Sequence, residues 1–487
     1  MSLEEIRDIR KKKSDDLAGA MAVYPIDSNL DSNIVDVIAK WSANDGKTKD
    51  VTIGGRVMAK RGQGAIFFAD LYDGTASIQI VLKKDSIDDA KLTLFENTID
   101  IGDFIATSGT FFITKRGEKS MEVHDWKMLS KSLRPLPEKW EGVKDAETQM
   151  RQRYLQILTD EEVKNKFIKR INIVSEIRNF LTKADYLEVE TPMFHPLYGG
   201  ASAIPFTTKY EALDSEFYLR ISPELYLKRL LIAGFPKVFE LNRNFRNEGI
   251  DVTHSPEFTM LEFYSAYETA KDQRDFTEKM IKQIVKKIHD ANSFANNGNI
   301  ISVEGDFEVV SYFDLIQKNT GITNPQNQTR EEVAIEAERL GVKVDREDSV
   351  SKIWDSIYKK HCRPKLIQPT FIIDYPAVML PLAKRKMENP DLVDAFQLVI
   401  GGVEVVKAFS ELNDPIDQRK RFEEQEKTKK LGEKDAQSLD EDFIEAMEYG
   451  MPPSAGVGIG IDRLVMLLTD THNIRDVILF PTLKPKK

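Results

Sequence analysis

Two different hydrophobic periods divide this chain and limit the folds it can adopt. Before residue 132, apolar and polar residues alternate over five short segments, a spacing that is typical of strands. These segments are Val51–Met58, Ala65–Leu71, Ser77–Leu82, Phe104–Phe112 and Ser120–Met128. After residue 150, stretches with helical spacing are mixed with strand-like ones. The segment Leu133–Pro137, which contains two prolines, stiffens the chain between the two regions and predicts a domain boundary.

The first region has the element order of an OB-fold. A helical stretch, Ile87–Phe95, lies between the third and fourth predicted strands, as it does in this five-stranded barrel. OB-folds commonly bind oligonucleotides, but many small barrels bind no nucleic acid, so the pattern alone leaves both interpretations open. The charged leader before the barrel includes Arg7, Arg10 and Lys11–Lys13. It is either a solvated helix face or an arm that touches RNA.

The second region is predicted to be a large α+β domain. Apolar residues from Phe167 to Leu181 recur every three or four positions, which predicts an amphipathic helix. Later strands pair as hairpins with few crossover helices, which favours a large antiparallel sheet with helices packed on it. Residues 265–365 are interpreted as a helical insertion. The predicted division is a charged helical leader at 1–47, an OB-fold at 48–132, a linker at 133–150 and the α+β domain at 151–487.

Composition excludes several classes of protein. The chain of 487 residues has one cysteine, Cys362, which excludes a disulfide framework and a multi-cysteine zinc site. No apolar run reaches the ~18–20 residues needed to span a bilayer, and the N-terminus is charged where a signal peptide is apolar. We therefore expect a soluble protein of the cytoplasm. The net charge of -10 argues against coating nucleic acid non-specifically, although local basic patches remain compatible with it.

Several nucleotide-site and metal-site signatures are missing or misleading. The sequence contains neither a P-loop nor an H-E-x-x-H motif. The glycines of Gly456–Gly460 resemble a dinucleotide fingerprint, but the third glycine comes one residue early and no βαβ unit surrounds it. Lys127–Ser132 resembles the KMSKS loop of class I synthetases with one inserted residue, but the HIGH motif that accompanies this loop is absent. Neither match supports a site.

One cluster of charged residues, together with a glycine-rich segment, does predict a binding site. Residues 239–267 read as two alternating strands joined by a polar loop, and Arg243, Arg246, Glu248 and His254 cluster at the loop end. An arginine there suits a phosphate because its guanidinium is bidentate and always charged. Closely spaced glycines precede Arg463 at the start of an apolar helix. Together with Phe258 and Glu404, these residues predict a site for ATP and a magnesium ion.

These same segments resemble the class II lysyl-tRNA synthetases. Glu188–Pro192 resembles motif 1 of that family, residues 243–264 (RNFRNEG…HSPEFTMLEFY) resemble motif 2, and residues 456–468 (GVGIGIDRLVMLL) resemble motif 3. The similarity extends over about residues 15–485. It implies that lysine and ATP first form lysyl-adenylate and pyrophosphate. The terminal adenosine of tRNA(Lys) then takes the lysyl group and AMP is released.

The resemblance also implies roles for individual residues. Arg246 and Arg463 would be the catalytic residues, and the ATP site would comprise Arg246, Glu248, His254, Phe258, Glu404 and Arg463. The lysine site would comprise Gly200, Glu224, Glu262, Tyr264, Phe409, Glu411, Gly458 and Gly460. In the barrel, Lys60, Arg61, Phe68, Gln79 and Glu118 would read the anticodon. The implied cofactor is Mg²⁺, and the implied assembly is a homodimer with no membrane partner.

Lysine specificity has its own physical argument, because relatives on this fold activate aspartate and asparagine. An aspartate pocket needs cations, whereas a buried ammonium must be paired with carboxylates. Glu224, Glu262 and Glu411 supply such carboxylates on or beside predicted strands. Amino acids that lack the ammonium would leave these carboxylates unpaired and would bind poorly.

Two positions depart from the usual pattern of the family. Gln397 stands where a glutamate that ligates metal is usual, and Lys407 stands where an asparagine is usual. Each change adds one positive charge beside the ATP site. We hypothesise that Lys407 partly replaces a magnesium ion and leaves Glu404 as the main metal ligand. The alternative is that Lys407 turns away and pairs with a nearby acid.

Two other functions compete with the synthetase interpretation. A related enzyme transfers lysine to a protein, elongation factor P, but those relatives lack the barrel that this chain is predicted to have. A synthetase-like RNA-binding protein with an inactive site is the second alternative, and Gln397 and Lys407 are compatible with it. Lysine-dependent pyrophosphate exchange separates an active enzyme from an inactive one.

Overall fold

The structure is a computed structural model that describes residues 1–43, 50–63, 65–137, 145–430 and 438–486. It divides into two compact units, Met1–Val143 and Lys144–Lys487. No helix among the described residues is long and apolar enough to cross a membrane.

The first unit contains a closed barrel. Its elements are α1 (Leu3–Ala18), α2 (Ile34–Ala43), β1 (Val51–Gln63), β2 (Ile66–Tyr72), β3 (Ser77–Lys83), α3 (Asp89–Thr98), β4 (Phe104–Ile113) and β5 (Lys119–Ser130). The strand order is β1-β2-β3-β5-β4, with α3 between β3 and β4 in sequence. Alternate residues of β2, namely Phe67, Ala69 and Leu71, point into the barrel core. The predicted OB-fold is thus confirmed.

The expected leader is not a separate segment. Leu17 from α1 and Trp41 from α2 are buried in the same core as the barrel strands. The guanidinium of Arg10 is buried and donates to the backbone carbonyls of Ile101 and Ser132 at 3.1 and 3.0 Å. Arg10, one of the basic residues considered for an RNA arm, is thus bonded to the barrel itself. These contacts and the burial of Leu17 make α1 part of the barrel unit. The predicted linker lies partly outside the described residues.

The second unit is built around a large mixed sheet. It begins with α4 (Ala146–Arg151), α5 (Arg153–Thr159), α6 (Glu161–Lys183), β6 (Leu187–Glu188), β7 (Phe194–His195), β8 (Thr207–Tyr210), β9 (Ser215–Leu219), α7 (Glu224–Ile232), β10 (Lys237–Phe245) and β11 (Glu257–Ala266). It continues with α8 (Ala270–His289), β12 (Ser293–Asn296), β13 (Asn299–Ser302), β14 (Glu308–Ser311), α9 (Tyr312–Thr320), α10 (Arg330–Arg339), α11 (Val350–Ile357) and β15 (Thr370–Ile373). The last elements are β16 (Ala395–Ile400), β17 (Val403–Ser410), α12 (Pro415–Lys430), α13 (Glu441–Glu448), β18 (Ser454–Gly460) and α14 (Ile461–Leu468).

The order of this sheet is β14-β15-β16-β17-β18-β11-β10-β6. Its central strands are antiparallel as predicted, but the pairs β14–β15 and β6–β10 at the two edges are parallel. The predicted α+β class is therefore confirmed. The prediction of an antiparallel sheet is corrected, because the sheet is mixed. Two smaller sheets, β12–β13 and β7-β9-β8, accompany it.

The helical insertion predicted at 265–365 is wrong in part. Met280, Ile284 and Val285 of α8 are buried in the main core, which also contains α6, α14 and one face of the large sheet. β14 joins the large sheet itself. The helices α9, α10 and α11 contribute to a separate apolar cluster with Trp354 and Tyr358. The insertion interpretation therefore fits these later helices better than α8.

The other face of the large sheet carries polar residues in a single row. Strand pairing places Glu240, Glu262, Gly458, Lys407 and Gln397 side by side across β10, β11, β18, β17 and β16. Residues one position away, such as Val457 and Ile459, point into the apolar core because side chains alternate along a strand. The glycines of 456–460 are thus the site-facing positions of β18, and the central one leaves a gap between Glu262 and Lys407.

Candidate active site

A cleft of about 340 Å³ lies over this polar face. It brings together nearly all the residues predicted for ATP and lysine. The predicted residues that line it are Gly200, Glu224, Arg246, Glu248, His254, Phe258, Glu262, Tyr264, Glu404, Lys407, Phe409, Glu411, Gly458, Gly460 and Arg463. Gln397 does not line the cleft, and neither does Arg243, which the sequence grouped with Arg246. Arg243 instead lies 3.7 Å from Glu257.

One end of the cleft is cationic and aromatic. The guanidinium carbon of Arg246 lies 5.0 Å from the ring centroid of Phe258, a cation–π distance. Burial lowers the pKa of Arg246, while Glu248 and Glu262 oppose that change. Since arginine stays charged at neutral pH, this end offers a fixed positive charge beside an aromatic surface.

Arg463 projects from the first turn of α14 and is held by several partners. Its Nη2 lies 3.0 Å from Nε2 of His254, and its Nη1 donates to the carbonyl of Glu404 at 3.4 Å. The Nδ1 of His254 lies 2.8 Å from Asp251. Because arginine can only donate, Nε2 of His254 accepts and its Nδ1–H points to Asp251. Burial alone would raise the pKa of Asp251, but hydrogen bonds from Thr253 and His254 keep it below its usual value.

Asp462 fixes the helix that presents Arg463. Its carboxylate accepts from the backbone N–H of Thr259 at 2.7 Å and forms an ion pair with Arg170 at 2.6 Å. These contacts tie α14 to β11 and α6. Neither Asp251 nor Asp462 was identified from the sequence. The partners of Asp462 lie far away along the chain, whereas those of Asp251 are only two and three residues later.

The other end of the cleft is acidic and buried. Glu262 accepts hydrogen bonds from Ser222 and Tyr264, each at 2.9 Å. Burial and the nearby Glu224 raise the pKa of Glu262 to about 7. Burial likewise raises the pKa of Glu411 to about 8, although the ammonium of Lys228 opposes this rise. Three buried carboxylates therefore line one end of the cleft, and a buried ammonium ligand must be paired with such groups.

Gly456 and Gly200 allow this convergence. A Cβ added to Gly456 would lie 2.3 Å from both Oε1 of Glu411 and the ring of Tyr264, so no larger residue fits. Gly200 has a φ of +83°, and a Cβ there would lie 2.9 Å from the Cβ of Glu224. The sequence had singled out Gly200 but had not assigned Gly456 to the site.

Glu404, Lys407 and Gln397 occupy very different environments. Glu404 and Lys407 line the cleft, and Lys407 is exposed with no ion pair or hydrogen bond recorded among the described residues. Gln397 is buried on β16, where its amide oxygen accepts from the hydroxyl of Tyr375 at 2.7 Å. The alternative that Lys407 pairs with a nearby acid is therefore not what the structure contains.

The side chains of the cleft can be compared with the ligands that a metal ion requires. Among the residues the structure describes, no group of three or more histidine, cysteine, aspartate and glutamate side chains is arranged to hold a metal. Magnesium does not require such a cage, because it commonly binds through one or two carboxylates together with substrate phosphates and water. Glu404 fits that requirement, whereas the amide oxygen of Gln397 is already engaged.

The barrel residues predicted to read an anticodon differ in how accessible they are. Arg61 lies over the ring of Phe68 at 5.6 Å and 3.8 Å from Asp70. Gln79 is buried and accepts from Ser120 at 3.1 Å, diagonally across the sheet from Phe68. Glu118 is exposed in the turn before β5. Arg61 and Phe68 thus form an accessible stacking surface.

Lys60 makes contacts at the end of α3 that the sequence did not predict. Its ammonium donates to the carbonyls of Phe95, Glu96 and Ile99 at 3.0, 2.8 and 2.7 Å. Helix C-termini carry carbonyls without helical partners, and a lysine satisfies them here. Burial, with the nearby charge of Lys13, lowers the pKa of Lys60 to about 8. Lys60 therefore caps α3 in this structure, and its contact with RNA stays a prediction.

Comparison with known proteins identifies the family. Residues 145–484 match the family described as tRNA synthetases class II (D, K and N), and residues 51–129 match an OB-fold nucleic acid binding domain. The lysine–tRNA ligase of Carboxydothermus hydrogenoformans is 48% identical over 438 residues, which is 90% of each chain. The chain belongs to the lysine–tRNA ligase family.

Two further lysine–tRNA ligases support this assignment over the whole length. That of Syntrophomonas wolfei is 43% identical over 488 residues, covering 100% of this chain and 98% of its own. That of Aquifex aeolicus is 45% identical over 452 residues, covering 91% of this chain and 74% of its own. The family resemblance of motifs 1, 2 and 3 is thus confirmed, and it extends across the barrel as well as the large sheet.

Proposed function

We infer that this protein attaches L-lysine to tRNA(Lys) at the expense of ATP, by way of lysyl-adenylate. One observation carries the inference: a single cleft has Arg246 and Arg463 at one end and Glu224, Glu262 and Glu411 at the other. The first end suits a triphosphate and a carboxylate, whereas the second suits ammonium groups. Lysine placed between them has its carboxylate next to ATP and its ammonium groups among the glutamates.

In the first step, the lysine carboxylate attacks the α-phosphorus of ATP. A new carboxylate–phosphorus bond forms, and the bond to pyrophosphate breaks. Arg246 can hold both reacting anions and Phe258 can stack on adenine, while Arg463 faces the outer phosphates from α14. Catalysis then comes mainly from positioning and from charge that is already in place around the phosphorus. In the second step, a hydroxyl of the terminal adenosine attacks the acyl carbon and AMP leaves.

Magnesium is proposed as the cofactor, with Glu404 as the protein ligand. When bound, it would neutralise charge on the ATP phosphates and draw electron density from them. We further propose that Lys407 supplies one fixed positive charge in the same region. Two facts support this role: Lys407 lines the cleft without a partner among the described residues, and Gln397 is held away from the cleft by Tyr375.

The variant Lys407→Asn tests this role. Loss of the ammonium should raise KM for ATP about tenfold, and extra magnesium should recover part of the loss, because either cation can neutralise phosphate. The measurement is ATP–pyrophosphate exchange at several magnesium concentrations. The matched control is Lys359→Asn, which removes a half-exposed lysine paired with Asp355 on the protein surface. A magnesium dependence that stays unchanged in Lys407→Asn, and also in the Gln397→Glu, Lys407→Asn double variant, would exclude the proposed role.

The barrel is proposed to bind the anticodon loop through stacking on Phe68. Removal of a stacked aromatic costs about 1–3 kcal/mol per base, so Phe68→Ala should raise KM for tRNA roughly 10- to 100-fold. Lysine-dependent pyrophosphate exchange should stay the same, because that step needs no RNA. Ile113→Ala, which removes an exposed apolar side chain at the end of β4, serves as the control for aminoacylation kinetics. An equal loss in both variants would contradict a specific role for Phe68.

A homodimer in the cytoplasm is the proposed physiological form. Exposed apolar side chains around β6 and β7, including Leu187, Met193 and Phe194, lie in and beside the motif 1 segment and suit burial against another copy. Light scattering of the purified full-length chain tests this proposal, and a monomer at micromolar concentration would contradict it.

Transfer of labelled lysine to RNA or protein tests the function itself. We expect tRNA(Lys) transcript to be charged in an ATP-dependent reaction, and tRNA(Asp) transcript to remain uncharged. Label on elongation factor P in place of tRNA would favour the rival enzyme. Failure to label any acceptor, in a protein that still binds RNA, would favour the inactive-site alternative.

A further inference from the structure

Lys228 is a buried lysine that does not line the cleft but pairs with two glutamates that do, and the sequence did not indicate it as part of the site. It lies on α7, one helical turn after Glu224, and its side chain is 0% exposed. Its ammonium donates to Glu224 at 2.6 Å and contacts Glu411, which directly follows β17. A fully buried ammonium is stable only when it is paired, so these contacts define where the two carboxylates stand.

The contacts of Lys228 join parts of the chain that are far apart in sequence. The ammonium lies 5.5 Å from the ring centroid of Phe409, which faces the same cleft. Within the described part of the chain, the buried contact with Lys228 is the main polar contact of the Glu411 carboxylate. Glu262, by contrast, is held by Ser222 and Tyr264. Lys228 therefore positions Glu224 and Glu411 but leaves Glu262 to other residues.

The charges in the pocket can be compared with those of its ligand. When all three carboxylates are ionised, they and the one ammonium leave two negative charges. Free L-lysine carries two ammonium groups, and its carboxylate belongs to the cationic end of the cleft. The charged and titratable groups that face this pocket are Glu224 and Lys228 from α7, Glu262 and Tyr264 from β11, Arg246 after β10 and Glu411 after β17.

We propose that Lys228 is a positioning residue that keeps Glu224 and Glu411 apart and ionised as receptors for the two ammonium groups of lysine. This inference rests on the proposed function. Without Lys228, the buried carboxylates would repel one another and would bind protons near neutral pH, so they would no longer attract ammonium groups. Two observations agree with this: the ammonium of Lys228 lowers the pKa of Glu411 against the rise that burial causes, and the two carboxylates hold the pKa of Lys228 above its usual value although burial opposes this.

The test uses Lys228→Met, which has a similar length but no charge. In lysine-dependent pyrophosphate exchange with the full-length protein, KM for lysine should rise at least tenfold near pH 7, while KM for ATP should change less than twofold. The variant-to-wild-type ratio of KM for lysine should fall at least threefold at about pH 8.5. The sign follows from linkage: higher pH removes the protons that the carboxylates gain when Lys228 is lost.

The matched control is Lys131→Met, which removes the buried lysine of the barrel that pairs with Asp103 at 2.7 Å. It should lower the melting temperature without changing KM for lysine, and so shows what destabilisation alone does. Lys228→Gln keeps one donor toward Glu224 and should give a smaller rise in KM with the same pH trend.

Three outcomes would overturn the proposal. The first is an unchanged KM for lysine in Lys228→Met. The second is a rise in KM for lysine that is the same at both pH values, or that is matched by an equal rise in KM for ATP. The third is failure of both Lys228 variants to fold while Lys131→Met folds, since Lys228 would then be a structural residue. Failure of the proposed function is recognised separately, because wild-type protein would then show no lysine-dependent exchange.

Discussion

Replacing Arg246 with alanine is expected to lower kcat/KM for lysine-dependent pyrophosphate exchange by about 10³-fold or more. An arginine that stabilises charge on a phosphoryl group in the transition state is typically worth 10³–10⁵ in rate. Arg246 combines the necessary features: it lines the cleft, it lies at a cation–π distance from Phe258, and the charges of Glu248 and Glu262 favour its charged form. The effect should fall mainly on kcat, because the developing charge is greatest in the transition state.

Two further variants define what Arg246 contributes. Arg246→Lys keeps the charge but loses the bidentate fork, so it should recover only part of the rate. Arg243→Ala is the matched control, because Arg243 lies on β10 three residues before Arg246, which directly follows that strand, and does not line the cleft. Its activity should stay within about twofold of wild type. Equal losses in Arg246→Ala and Arg243→Ala would mean that the strand, and not the Arg246 guanidinium, controls activity.

Replacing Glu411 with glutamine is expected to lower kcat/KM for lysine by about 10²–10³-fold. Truncation of one partner of a buried charge pair costs about 2–5 kcal/mol, much of it because the remaining charge is left unpaired. Here both the substrate ammonium and Lys228 would lose a carboxylate. KM for ATP should change little, because Glu411 lies at the acidic end of the cleft.

Steady-state kinetics in both substrates check this expectation. Glu268→Gln is the control, since Glu268 forms a partly exposed ion pair with Lys237 at 3.2 Å and does not line the cleft. Its kinetics should match those of wild type. If Glu411→Gln raised KM for ATP as much as KM for lysine, the division of the cleft into two ends would be wrong.

The barrel shows how far local sequence patterns extend. Alternation and turn residues predicted five strands and the helix between the third and fourth, and the structure confirms this order. The packing of α1 and α2 against the barrel could not be predicted in the same way. Arg10 looked like part of a solvated basic run, and only the fold brings the carbonyls of Ile101 and Ser132 within its reach.

In the large sheet, too, local sequence patterns did not predict every strand pairing. Its central strands had long alternating patterns, whereas β14 has only four residues and two of them are exposed, so nothing in the sequence predicted its parallel pairing. α8 is amphipathic, but amphipathicity does not specify which core a helix covers. Residues 265–365 were therefore interpreted as a single insertion, although α8 packs into the main core.

Some residues of the site were predicted from the family resemblance, whereas others were found only in the structure. The resemblance identified fourteen positions, together with Lys407, that do line one cleft. It did not indicate Lys228, Asp251 or Asp462, which act on other site residues and were not among the positions carried over. It also did not indicate that Lys60 caps α3, because only the fold brings the carbonyls at the end of that helix within reach of Lys60.

The central claim is that this cleft activates lysine with ATP. The most direct measurement is ATP–pyrophosphate exchange by the full-length protein with each of the twenty amino acids supplied separately, in the presence of magnesium. The acidic end of the cleft, with Glu224 and Glu411 paired to Lys228 and Glu262 held by Ser222, predicts exchange with lysine and essentially none with aspartate or asparagine. Exchange driven by aspartate or asparagine, or no exchange with any amino acid, would contradict this account.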